Sequence, residues 1–200
     1  MVGVSFLFAA TAPDDAWATG VLVLLQSATI VTALWISDLA RAESPLSIGL
    51  LTMAAVLAVV DMIWGGSTLT AVLGIVSGVL VVATVAVIAL SVVRRGEIDR
   101  QSITGAICVY LLLGMVFLFV YNAVAALGSG PFFHQGIDGS RALRLYFSYV
   151  TLATLGYGDY TPAGNLGHAL AVIEALLGQL YLVTVVALFV ARLGNPARRA

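Results

Sequence analysis

Thr151-Leu152-Ala153-Thr154-Leu155-Gly156-Tyr157-Gly158-Asp159-Tyr160-Thr161-Pro162 lies between a short segment with helical character and a final apolar run. Upstream, Ser140 is suited to N-cap a helix over 140–153 that continues through Arg141, Leu145, Tyr149 and Ala153. Such a helix cannot cross a bilayer, whose roughly 30 Å hydrocarbon core needs about 20 residues at 1.5 Å each. It can enter from one face, stop near the midplane and return as extended chain, provided that the returning backbone is buried in protein or lines a watery path. Downstream, residues 165–191 form an apolar run long enough to span. The fold predicted from this arrangement is an all-α integral membrane protein, a multi-pass helical bundle with one re-entrant helix.

Composition agrees: hydrophobic residues make up 61% of the 200 positions, charged residues only 10%, and mean hydropathy is +1.07. A soluble domain carries roughly one-quarter charged residues. Five runs reach spanning length, at about 17–37, 46–64, 69–92, 103–127 and 165–191. They are too long for barrel strands, so the spans are helices. All 9 basic residues are Arg and the net charge is -1, with no basic stripe to follow a phosphate backbone, which excludes nucleic acid as a partner. The single Cys108 allows no intrachain disulfide or multi-cysteine metal site. No Ser/His dyad, H-E-x-x-H or metal cluster falls within the spans, so the expectation is a protein without enzymatic activity or cofactor.

Arginine is enriched in short cytoplasmic loops. Arg41, Arg94, Arg95, Arg100, Arg192, Arg198 and Arg199 fall on one side, while Asp14 and Asp15 precede the first run, which places the N-terminus outside and the C-terminus in the cytoplasm. Arg141 and Arg144 break the rule, since this topology assigns 128–164 to the outer face. Pairing with Asp138, or extension of the side chains to the interface, is the default account of them.

The stretch quoted above resembles the pore signature of potassium channels in the pore-loop cation channel superfamily, T-x-x-T-V-G-Y-G-D followed by T-P, with Leu155 in place of Val. The resemblance covers residues 103–192. It implies an outer helix at 103–127, a pore helix at 140–153, a selectivity filter at 154–159 and an inner helix at 165–191. It also implies a homotetramer in the plasma membrane whose permeant ligand is potassium. By this resemblance, carbonyls of Thr154, Leu155, Gly156 and Tyr157, with the Thr154 hydroxyl, replace the water shell of the ion. Asp159 adds an acidic ring at the outer mouth. Gly156 and Gly158 supply positive φ without a Cβ penalty. Tyr157 is expected in an aromatic layer with Tyr146 and Phe147, and Thr151 supports the filter. Gly178 lies 20 positions beyond Gly158, where potassium channels commonly carry a hinge glycine; close helix packing explains a glycine there equally well. Leu182, Val186 and Val190 recur at helical spacing and would line the inner mouth.

By the same resemblance, residues 1–93 form a sensor-like domain, joined through a cytoplasmic linker at 94–102 to the pore and followed by a short tail at 193–200. The run at 69–92 takes the place of a voltage-sensing helix but holds no Arg or Lys. Each missing charge removes about 2.3 kcal/mol per 100 mV of coupling, so steep voltage dependence is not expected. Met1 to Ala12 reads either as the end of a shortened first segment or as a signal peptide without the usual basic start. Two carboxyls fall inside spans. Asp61 is close to a helix end. Glu174 is expected behind the filter, bonded to the pore helix or to an Arg in a neighbour, where it either tunes filter stability or is a protonated, satisfied structural carboxyl. His134 and His168 flank the outer mouth. Gly74 and Gly78 form a G-x-x-x-G that suggests close packing. The competing readings are a non-conducting or regulatory pore-loop subunit and a weakly selective cation channel.

Overall fold

The computed structural model describes residues 1–36, Val56, 67–94 and 100–193. These contain helices α1 (Val2–Thr11), α2 (Ala16–Ile36), α3 (Ser67–Arg94), α4 (Arg100–Leu127), α5 (Arg141–Leu152) and α6 (Asn165–Leu193). The run at 46–64, Val56 apart, and Asp61 within it lie outside the described residues. Among the described residues, α2, α3, α4 and α6 are long and apolar enough to cross a membrane. The 10-residue α1 and the 12-residue α5 are too short to do so. The protein is an all-α membrane protein.

Packing is sequential, with α3 between α2 and α4, and α5 between α4 and α6. The main core draws Val2 and Ala9 from α1, Leu22 from α2, Val81 from α3, Leu112, Met115 and Leu118 from α4, and Leu145 from α5. The first residues are therefore a packed helix, and Phe6 sets its ring edge-on to Tyr149 of α5 at 5.0 Å. In lipid, helices associate through close packing and interhelical hydrogen bonds rather than through the hydrophobic effect. Gly78 follows this rule, since a Cβ there would meet the Phe119 Cβ at 3.4 Å. Among the described residues a Cβ at Gly74 would meet nothing within 4 Å, so there the close packing falls to the second glycine of the G-x-x-x-G.

The helices differ in how much they bury. Of the apolar window in α2, 44% is buried, against 11% for that of α6. Leu166, Leu176, Leu180, Val183 and Val190 of α6 are all at least half exposed. The last helix thus offers apolar surface on several sides.

Candidate functional site

The site is built around α5. Ser140 caps it with extended backbone, its hydroxyl accepting from Leu143 N–H at 3.1 Å. A second cap comes from a distant part of the sequence. The Asp14 carboxylate accepts from Arg141 N–H at 3.0 Å, and the Arg141 guanidinium donates to the Pro13 carbonyl at 2.9 Å while lying 3.5 Å from Asp14. Two of the four orphan donors of the helix are thereby satisfied, and the carboxylate sits at its positive dipole end. This corrects the expected pairing of Arg141 with Asp138. The Asp138 carboxylate is engaged instead by Phe132 N–H, and Arg144 donates to the carbonyls of Asp138 and Gly139 and to Asn122 Oδ1. Of the two arginines that break the charge rule, Arg144 is thus bound to α5's own entry and Arg141 to the chain between α1 and α2.

The other end of α5 closes in a Schellman motif. Thr154 N–H donates to the Thr151 carbonyl at 2.9 Å and Leu155 N–H to that of Val150 at 2.9 Å, with Thr154 left-handed at φ 56. Glycine usually fills that position; a β-branched residue there costs of order 1–3 kcal/mol and persists only where its surroundings hold it. Gly156 at φ 54 and Gly158 at φ 75 follow, whereas Leu155 and Tyr157 do not have positive φ. The sign of φ therefore alternates from 154 to 158. Backbones in which left-handed residues alternate with residues of negative φ can gather successive polar groups of one kind on one side. The glycines were anticipated from the sequence. The threonine was not.

Behind this segment lies Glu174, fully buried on α6. Its carboxyl meets the Tyr121 hydroxyl of α4 at 2.5 Å and the Ser148 hydroxyl of α5 at 2.5 Å. Ser148 also lies 2.8 Å from the Gly114 carbonyl on α4. Ser148 has one proton for two acceptors. When that proton goes to the carbonyl, the contact with Glu174 takes its proton from the carboxyl. One side chain thus ties three helices together. Within the chain, Glu174 is bonded to α5 through Ser148, the helix that precedes the alternating backbone.

The 128–140 loop clasps the chain after the glycines through His134 N–H to the Thr161 carbonyl and Ala163 N–H to the Phe132 carbonyl, each 2.8 Å. Gln135 Nε2 donates to the Asp159 carbonyl at 2.7 Å, and the Tyr146 hydroxyl donates to Asp159 Oδ2 at 2.8 Å. The bond to Asp159 pushes the Tyr146 hydroxyl up to about 12. His134 and His168 are both exposed. The expected layer of Tyr157, Tyr146 and Phe147 does not form within one chain. Phe147 is buried edge-on against Tyr121 and Phe133, and Tyr146 sets its ring against Tyr160, while Tyr157 is 65% exposed. The reason is helical phase: adjacent residues of α5 point about 100° apart, so Phe147 turns inward and Tyr146 outward.

At Gly178, a Cβ would collide with the Leu152 carbonyl oxygen, which is backbone and cannot move aside. Close approach of α6 to the end of α5 accounts for this glycine, and α6 runs unbroken through it from Asn165 to Leu193. The next residue, Gln179, reaches Thr154, donating Nε2–H to Oγ1 at 3.1 Å. Its sequence signal was an amide in the interior of an apolar helix. Leu182, Val186 and Val190 follow along one exposed face. Asp14, Tyr121, Ser148 and Gln135 are further partners that motif reading did not assign, since each is an ordinary residue outside the signature.

A family model described as "Ion channel" matches residues 105–195, from α4 through α6. Inward rectifier potassium channel Kirbac3.1 of Paramagnetospirillum magnetotacticum is 36% identical over 113 residues, covering 54% of this chain and 38% of that protein. Protein LctB of Geobacillus stearothermophilus is 31% identical over 114 residues, covering 54% of this chain and 84% of that one. The chain belongs to the potassium channel family. Within that family, "Probable potassium channel protein 2" of Methanocaldococcus jannaschii is 41% identical over 59 residues, which are 28% of this channel chain and 17% of that protein. The chain spans well under half the length of the first and last of these relatives. No solved structure matches it. The region that the family model matches is the one that contains α5, the alternating backbone and Glu174.

Proposed function

We propose that four copies of this chain form a potassium-selective pore, with α5 as a re-entrant pore helix and Thr154 to Asp159 as the selectivity filter. The observation that carries this reading is the alternating sign of φ from Thr154 to Gly158. Around a fourfold axis, such strands present stacked rings of carbonyls that can replace the hydration shell of a cation. Thr154, Leu155, Gly156 and Tyr157 are the ion ligands in this arrangement, and Asp159 forms the acidic outer ring. Tyr157 finds its packing partners on the neighbouring chain, in keeping with its exposure in the isolated one. Thr151 and Glu174 brace the segment from behind. The open surface of α6 supports assembly, because one loop per chain requires several chains to enclose a path. In the tetramer, Leu182, Val186 and Val190 line the inner mouth and close it by dewetting.

Residues 1–93 act in this account as a sensor-like domain set outside the pore helix and docked on it through α1 and the Asp14–Arg141 contact. The Asp14 end and the start of α5 share one face, which is the outer face by the arginine pattern. The interior of α3 carries no Arg or Lys, so opening depends weakly on voltage. The test combines native mass spectrometry of the purified protein with bilayer recording. A tetramer passing potassium-selective current, lost on Gly156→Ala while the tetramer persists, supports the reading. A stable monomer, or an unchanged current in Gly156→Ala, refutes it.

A further inference from the structure

We infer that Gln179 is a positioning residue for the innermost ring of the filter, acting through the Thr154 hydroxyl; the inference rests on the filter reading above. Three observations meet at this point. Thr154 holds a left-handed backbone that a β-branched residue adopts only under constraint. Gly178 lets α6 press against the Leu152 carbonyl at the end of α5, which brings the following side chain beside Thr154. Gln179 Nε2 then donates to Thr154 Oγ1 at 3.1 Å.

The chemistry follows from counting protons. A threonine hydroxyl has one donor and two acceptor sites. With the amide hydrogen on one acceptor site, the hydroxyl can offer a cation only its second lone pair, and its own proton is turned away from the ion. Without the amide, the hydroxyl rotates freely and spends part of its time directing a proton at the conduction path. Gln179 thus sets the orientation of the side-chain oxygen of the innermost ring. Four copies around the axis would fix four such oxygens at once. Tyr181, two residues on, donates to the Ala106 carbonyl of α4 at 2.6 Å and holds this part of α6 in place.

The experiment compares the unsubstituted protein with Gln179→Met, which keeps length and removes the amide, and with Gln179→Asn. Each is made alone and in a Thr154→Val background, and reconstituted under bi-ionic conditions. Gln179→Met should raise the sodium-to-potassium permeability ratio about three- to tenfold and weaken cytoplasmic barium block by a similar factor. In the Thr154→Val background the same substitution should change neither quantity, since the hydroxyl it acts on is gone. Equal effects in both backgrounds, or an unchanged ratio and block in Gln179→Met, overturn the proposal. A second readout needs no current: the side-chain amide nitrogen resonance of Gln179, in labelled protein, should shift on Thr154→Val. If the protein passes no potassium but that resonance shifts, the filter reading fails and the contact stands. If the resonance does not move, the contact fails whatever the current does.

Discussion

Replacing Glu174 by leucine and by glutamine separates hydrogen bonding from charge at a fully buried polar point. Glu174, Tyr121 and Ser148 have no exposed surface, so none can turn to water. Leucine removes the acceptor of the Tyr121 hydroxyl and leaves it unpaired, at a cost of about 1–3 kcal/mol. Ser148 is spared, because the Gly114 carbonyl at 2.8 Å still takes its proton. Interhelical hydrogen bonds inside membranes contribute about 0.6 kcal/mol on average and up to about 1.7. Two contacts of 2.5 Å converging on one carboxyl point to the upper end of that range. Glu174→Leu should therefore destabilise by about 1.5–3 kcal/mol. Glutamine can accept from Tyr121 through its oxygen and donate to Ser148 through its nitrogen, so it should cost less than about 1 kcal/mol. Adding Tyr121→Phe to Glu174→Leu removes both partners and should recover about 1 kcal/mol or more. The assay is reversible unfolding in mixed micelles followed by tryptophan fluorescence. If Glu174→Gln is as damaging as Glu174→Leu, or if the Leu and Phe substitutions simply add, hydrogen-bond counting is the wrong account of this site.

Three further outcomes follow from the geometry. Gly178→Ala forces a methyl against the Leu152 carbonyl and should destabilise by about 1–3 kcal/mol, read as a lowered thermal midpoint of the assembled protein; an unchanged midpoint would mean that α6 does not approach α5 so closely. Asp14→Ala removes the cap on Arg141 N–H and should cost about 1 kcal/mol, with faster amide hydrogen exchange confined to the first turn of α5; exchange unchanged there would discount the contact. The bond to Asp159 pushes the Tyr146 hydroxyl up to about 12, so this bond should be intact below the ordinary tyrosine range near 10 and be lost as pH rises through about 12. In ultraviolet difference titration against Tyr146→Phe, Asp159→Asn should move that step back toward 10, and no movement would contradict the assignment.

The signature from Thr151 to Pro162 was legible because its information is local: glycines where the backbone must turn left-handed, and polar residues at fixed spacing. The helices were legible too, since apolar length alone marks a span. Their ends shifted by a few residues: α4 begins at Arg100 rather than 103, because polar residues can extend a helix beyond its apolar run. Glu174 drew notice as a carboxyl in an apolar run, yet its partners Tyr121 and Ser148 lie 53 and 26 positions away and no local pattern links them. The same holds for Arg141 and Asp14, separated by 127 positions, where a nearer acid at 138 was the natural first choice. Gly178 was equally ambiguous in sequence, because a bend and a close approach both select glycine. Only the position of the Leu152 carbonyl distinguishes them.

The most direct test of the central claim is ion flux in liposomes containing the purified protein, loaded with potassium or with sodium and diluted into impermeant buffer with a proton ionophore and a pH-sensitive dye. The account predicts rapid efflux driven by the potassium gradient, little above empty liposomes for sodium, and loss of the potassium signal in Gly156→Ala. Equal sodium and potassium fluxes, or no flux from intact tetramers, would contradict it.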